Sequence, residues 1–124
     1  MASEERQTTA EHIPVTAERI ARNDATFREA NERIHARAVE YRIDDSFPII
    51  CECANPSCTE VIQVSFVEYE AVRQHPAQFF HSPGHDVDPR RHARVVEEND
   101  ERAIVEKTGR AAQVAKEFDT RADR

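Results

Sequence analysis

Leucine is absent from this 124-residue chain, and glycine is nearly so, with two residues. Helical bundles lean on leucine, so its absence predicts a β-branched core that is partly sheet. Gly84 and Gly109 are too few and too far apart for a glycine-rich phosphate loop. No apolar run approaches the length needed to cross a bilayer, which excludes a membrane span, and no membrane partner is expected. The metal-dependent hydrolase motifs are missing as well. No His-Glu-x-x-His occurs, and His35, His81 and His85 are followed by Ala-Arg, Ser-Pro and Asp-Val rather than by x-Glu.

Strongly apolar residues are also scarce. The hydrophobic set makes up 39% of the chain, but 17 of its members are alanine. Val, Ile and Phe together make up about 20% of the chain, which with 33% charged residues lies on the border where a chain cannot bury enough surface to fold. A large two-layer enzyme core is therefore excluded. A thin core is expected instead, with bound metal contributing much of the stability. The net charge of −7 opposes nucleic acid as a partner. Met1-Ala2-Ser3-Glu4-Glu5-Arg6 has neither the basic nor the apolar region of a secretory signal, so a cytoplasmic protein with reduced thiols is expected.

Residues 1–15 read as a disordered lead-in, 16–117 as one small α+β zinc-binding domain, and 118–124 as a disordered tail. Thr16 to Tyr41 reads as one long helix, uninterrupted by Gly or Pro. Its apolar residues recur every seven positions at Ile20, Phe27, Ile34 and Tyr41. This stripe fits a helix laid across a sheet. It also allows a coiled-coil seam through which two copies would pair as a homodimer. Strands are predicted from Ser46 to Cys53 and from Val61 to Val64, with Pro48 at a strand start or edge. Ser65-Phe66-Val67-Glu68 is a capping box that opens a short helix ending before Pro76. Phe79-Phe80-His81 is extended, and Ser82-Pro83-Gly84-His85 is a turn. Arg94–Glu97 and Ala103–Glu106 form a hairpin around Asn99-Asp100, with Glu97–Glu101 as its solvated tip. Gly109 breaks the pattern before a last helix from Ala111 to Phe118. The fold class is thus α+β, a long N-terminal helix on a small antiparallel sheet of three or four strands.

All three cysteines fall within eight residues, as Cys51-Glu52-Cys53-Ala54-Asn55-Pro56-Ser57-Cys58. On a strand, Cys51 and Cys53 point to the same face, and an Asn55-Pro56 turn returns Cys58 to them. Three converging thiols suit zinc, which takes four donors in a tetrahedron. The fourth is expected to be His85, delivered by the Pro83-Gly84 turn. His81 is the next choice, followed by His75 and His92. Asp86 or Asp88 would orient the imidazole, and an amide of the 54–58 turn would offset the thiolate charge. Buried inert cysteines would be scattered rather than clustered. A structural disulfide fits poorly with an odd number of cysteines.

These residues carry a resemblance. Asn31 to Lys107 resembles a set of small actinobacterial proteins with a C-x-C-x4-C … P-G-H pattern. The shared pieces are Cys51-Glu52-Cys53 with Cys58, Glu68–Arg73, Pro83-Gly84-His85, Val95–Asp100 and Val105-Glu106-Lys107. The resemblance implies a bacterial cytoplasm and adds weight to His85. It implies no reaction or partner.

The expected function is a zinc-stabilised interaction or regulatory module with a Cys3His site and a protein partner. The alternative is a redox sensor whose oxidation releases the metal. An enzyme is disfavoured, because a closed four-ligand site leaves no coordination position for substrate. Arg90-Arg91-His92-Ala93-Arg94 reads as a solvated loop, with an anion or RNA contact as its functional alternative.

Overall fold

Alanine, arginine and glutamate dominate the stretch that forms the first helix, α1 (Ala17–Glu40), and no Gly or Pro interrupts it. The computed structural model describes residues 17–43, 45–53, 55, 57–85 and 92–121. The 1–15 lead-in and Thr16, the predicted start of the helix, lie outside these. Helix α1 ends by a left-handed turn at Arg42, whose φ is 56°. Ile43 N–H donates to Ala38 O at 3.0 Å and Arg42 N–H to Val39 O at 3.1 Å, which satisfies the last carbonyls of the helix.

Among the described residues, five strands follow in two antiparallel sheets. The first pairs β1 (Ser46–Ile50) with β2 (Val61–Ser65), and the second has the order β3-β5-β4. Its members are β3 (Gln78–His81), β4 (Ala93–Glu98) and the central β5 (Ala103–Lys107). The predicted α+β class and the long N-terminal helix hold, while the strands divide between two small sheets instead of forming one. In the first sheet Phe47 faces Val64 and Ile49 faces Ile62 across the ladder, and all four are buried. Pro48 points outward on β1, where its missing donor is harmless. The β4–β5 hairpin turns at Asn99, as its sequence predicts.

Helix α2 (Phe66–Arg73) starts at the expected cap, with Glu68 N–H donating to Ser65 Oγ at 3.0 Å. The carboxylate of Glu68 pairs with Arg102. Tyr69 and Val72 enter the core from this helix, beside Phe47, Ile49, Ile62, Val64 and Phe80. Helix α3 (Gly109–Glu117) packs on α1 through Ala21, Ala111 and Val114. Gly109 begins this helix, with φ +57° and His92 Nδ1 3.2 Å from where a Cβ would stand.

The seven-residue stripe on α1, with Ala30 and Ala38 filling in, marks only the margin of its packing face: Ile34 packs against the core and Ala38 is buried in it. Ile20, Phe27 and Ile34 are half-buried and Tyr41 is exposed. The buried residues are Ala21, Asp24, Ala25, Arg28, Asn31 and Ala38, a mostly small and polar face. Three and four-residue steps separate most of them, the spacing of a helix on a globular core rather than a two-stranded seam.

Ion pairs fill the space that leucine would occupy elsewhere. Arg28 donates to Pro76 O at 2.5 Å and Ala115 O at 2.9 Å, and lies 4.3 Å over the Phe79 ring. Lys107 pairs with Asp24, both buried. Arg73 is held between Glu32, at 2.9 Å, and Asp119, at 2.7 Å. Arg121 adds bonds to Glu32 and Glu70 at 2.8 Å each. The ordered part therefore runs past Glu117, where the sequence reading places the start of a tail. Asp119 and Arg121 are its ionic anchors.

Burial alone would raise the Glu32 carboxyl, but hydrogen bonds from Arg121, Tyr69 and Arg73 outweigh it and hold the pKa at about 2. A depressed carboxyl contributes stability above its unfolded pKa, and that stability is lost as pH falls through the folded value. The Glu32→Gln variant should accordingly be less stable than the parent by about 2 kcal/mol at neutral pH, after allowing for partial solvent screening. Urea unfolding of both chains at a series of pH values checks this. The gap should narrow as pH falls from 4.5, the ordinary carboxyl value, towards 2. A gap independent of pH would contradict it.

Candidate metal centre

The chain leaves β1 at Ile50 and runs between the two sheets. Cys51 N–H donates to Glu60 O at 3.2 Å, continuing the ladder towards β2. Glu52 N–H then donates to Phe80 O at 2.8 Å, joining the segment to β3. The strand ends at Ile50, short of the predicted end at Cys53, which lies in a bend, yet both thiols reach one site as their two-residue spacing predicts. Asn55 makes the turn that follows. Its side-chain Oδ1 accepts from Ser57 N–H at 2.9 Å and its carbonyl from Cys58 N–H at 2.9 Å, which brings Cys58 back.

His85 arrives from the other sheet. After β3, Ser82-Pro83-Gly84-His85 turns with His85 N–H to Ser82 O at 3.4 Å. Gly84 adopts φ +82°, a conformation that favours glycine. The ligand atoms of Cys51, Cys53, Cys58 and His85 all lie within 4.8 Å of one another. Cys51 Sγ is 3.4 Å from His85 Nδ1. Around a tetrahedral zinc, bond lengths of about 2.0–2.3 Å place ligand atoms about 3.5–3.8 Å apart. Small side-chain movements suffice to close the set on an ion.

Cys51 is buried, whereas Cys53, Cys58 and His85 are half-buried. Burial pushes the Cys51 thiol up to about 12, while the Ser82 N–H, donating to Sγ at 3.2 Å, favours the thiolate. Burial also raises Cys53, and the Asn55 amide pulls it back. Such thiols stay protonated at neutral pH until a cation replaces the protons. The Asn55 amide is one of the turn donors that sequence reasoning expected. The Ser82 amide comes from the opposite side and was not anticipated.

The other candidate histidines, all among the described residues, lie apart from this group. His81 is buried on β3 with its ring centroid 6.3 Å from that of His85. His75 is exposed after α2, and His92 is exposed beside Gly109. Asp86 and Asp88 fall outside the described residues.

Two further residues shape the site. Glu52, between the first two cysteines, is 1% exposed. Its carboxylate accepts from Phe80 N–H at 2.9 Å and from Asn31 Nδ2 at 2.8 Å. Burial pushes its pKa up to about 7 against the pull of these donors. Asn31 also brackets Ile50, donating to its carbonyl at 2.8 Å and accepting from its N–H at 2.9 Å. One signal for Glu52 was present in the sequence. If Cys51 and Cys53 share a face, the residue between them faces the other way.

Comparison with protein-family models, with curated proteins and with solved structures gave no match to the chain.

Removing the Glu52 carboxylate by Glu52→Ala leaves Phe80 N–H and Asn31 Nδ2 buried without this acceptor. Chemical denaturation of the variant should show a loss of about 2–4 kcal/mol. A loss below about 0.5 kcal/mol, the range of ordinary surface substitutions, would show that the clasp is dispensable.

Proposed function

We propose that the chain is a small zinc-stabilised interaction or regulatory module, with one zinc ion held by Cys51, Cys53, Cys58 and His85. The observation that carries this reading is the convergence of three thiols and one imidazole from two separate sheets. Soft thiolate donors favour zinc over magnesium or calcium, and four protein donors complete its tetrahedron. A site closed in this way fixes structure and leaves no coordination position for a substrate. The binding energy, on the order of 10 kcal/mol at neutral pH, is coupled to folding. That is a large contribution for a chain with so few large apolar residues.

The partner in this reading is a protein. Val39, Tyr41 and Ile43 keep apolar side chains exposed at the end of α1, and Val67 does so on α2. The acidic net charge disfavours nucleic acid, and among the described residues no helix is long and apolar enough to cross a membrane. The reading includes a reducing bacterial cytoplasm, and extends to the actinobacterial set that shares the cysteine and Pro-Gly-His pattern.

Elemental analysis of protein purified without added metal tests the proposal. One zinc per chain is expected, and a chelator or Cys53→Ser should loosen the sheets, read by circular dichroism and thermal unfolding. Zinc well below one equivalent, with three freely titratable thiols in the native state, would overturn it.

A second reading, a redox sensor, draws support from the partial exposure of Cys53 and Cys58. Hydrogen peroxide would oxidise two thiolates to one disulfide, taking up two protons and leaving two waters, and the zinc would depart. Zinc release at a few equivalents of peroxide, with recovery on reduction, favours the sensor. A site inert to excess peroxide favours the structural module.

A further inference from the structure

The turn that delivers His85 is held from outside as well as from within. Its internal bond, His85 N–H to Ser82 O, is long at 3.4 Å. A second bond fixes the residue before the ligand. Gly84 N–H donates to Glu98 Oε2 at 2.8 Å. This is a charge-assisted bond of good length, the stronger kind of backbone contact. It reaches across the second sheet from β4, where sequence reasoning expected a solvated acidic tip.

The position of Glu98 follows from the ladder. Glu98 pairs with Ala103 on β5, and Ala103 pairs with His81 on β3. The three residues form one row across the sheet, and the chain leaving His81 runs directly into the Ser82–His85 turn. The hairpin end that carries Glu98 is itself fixed. Asn99 N–H donates to Arg102 O at 3.0 Å, and Asn99 Oδ1 accepts from Glu101 and Arg102 amides at 2.8 and 3.0 Å. Arg102 then pairs with Glu68 on α2 and with Glu97 at 3.2 Å. The acceptor is therefore preorganised by elements that do not belong to the metal centre.

We propose that Glu98 is a positioning residue for His85, holding the Gly84 amide so that the imidazole meets the three sulfurs. The proposal rests on the zinc reading above. Glu98 touches no ligand atom in this role; it acts through the backbone of Gly84. Because an acceptor is what the geometry requires, the neutral Glu98→Gln should keep most of the effect, while Glu98→Ala should lose it.

A double-mutant cycle tests this in the full-length chain, with zinc affinity measured by competition against a chromophoric chelator. Glu98→Ala should weaken zinc about five- to tenfold, the scale of one charge-assisted bond near the surface. In a His85→Ala background the same substitution should change nothing further, since the ligand it positions is gone. An equal loss in both backgrounds would show a general effect on stability and overturn the proposal, as would no loss in the parent. Cobalt(II) gives a second readout if His85→Ala binds zinc too weakly to measure. Glu98→Ala should move the ligand-field bands towards those of His85→Ala while the thiolate charge-transfer band keeps its intensity. Bands identical to the parent's would overturn the role. A parent chain that binds no zinc would instead remove the metal reading itself, before any variant is compared.

Discussion

A buried carboxylate cannot stand alone in a protein interior, and the Glu52 carboxylate is the point at which three parts of this chain meet to satisfy it. Asn31 comes from α1, Phe80 N–H from β3, and Glu52 itself from the end of β1. The backbone bond from Glu52 N–H to Phe80 O runs alongside. Together these contacts tie the long helix to both sheets at a single place. The residues on either side of Glu52 are the first two thiols of the metal centre. Burial of the clasp and placement of the ligands are consequences of the same alternation along extended chain.

The rest of the interior follows a related logic. A chain without leucine has to fill the contact between α1, α2 and the C-terminal segment with other side chains. Here long cationic side chains do it. The Arg28 guanidinium satisfies carbonyls of Pro76 and Ala115 while its plane lies over Phe79. Arg73 is enclosed between two carboxylates, and Arg121 closes the group from outside. Ion pairs of this kind recover desolvation cost only when geometry is good, so their net contribution to stability is smaller than their number suggests. Their directional bonds nonetheless fix how α1 lies on its neighbours.

Much of this architecture was legible from local patterns. Ser65 and Glu68 mark the start of α2, Asn99-Asp100 marks the hairpin, and Asn55 marks the turn that returns Cys58. Each is a short-range signal with its own chemistry. The cysteine spacing and the Pro-Gly turn before His85 made the clustering of these four side chains legible for the same reason. What periodicity misread is the face of α1. Ile20, Phe27 and Ile34 are the conspicuous apolar residues, but Asp24, Arg28 and Asn31 are the ones that go inside. Their burial depends on partners far along the chain, namely Lys107, Pro76, Ala115 and Glu52, and no window on the helix contains them. Asp119 and Arg121 escaped notice likewise, because a polar segment after a helix reads as a tail until its carboxylate meets a buried guanidinium.

The uneven distribution of the four donors along the chain has a thermodynamic consequence. Three of them lie within the eight residues from Cys51 to Cys58, and the fourth arrives only after two strands and a helix have intervened. In the zinc reading, an unfolded chain keeps the three thiols close together and would hold the ion without forming either sheet. Any affinity of the metal for the unfolded ensemble subtracts from the stabilisation that mass action gives the native state. Under that reading, the share that zinc would return to folding is the part that depends on His85, on the Ser82 amide and on the burial of Cys51. Much of the rest is available before the fold exists, and the same three thiols can act as an early tether from which the long-range closure proceeds.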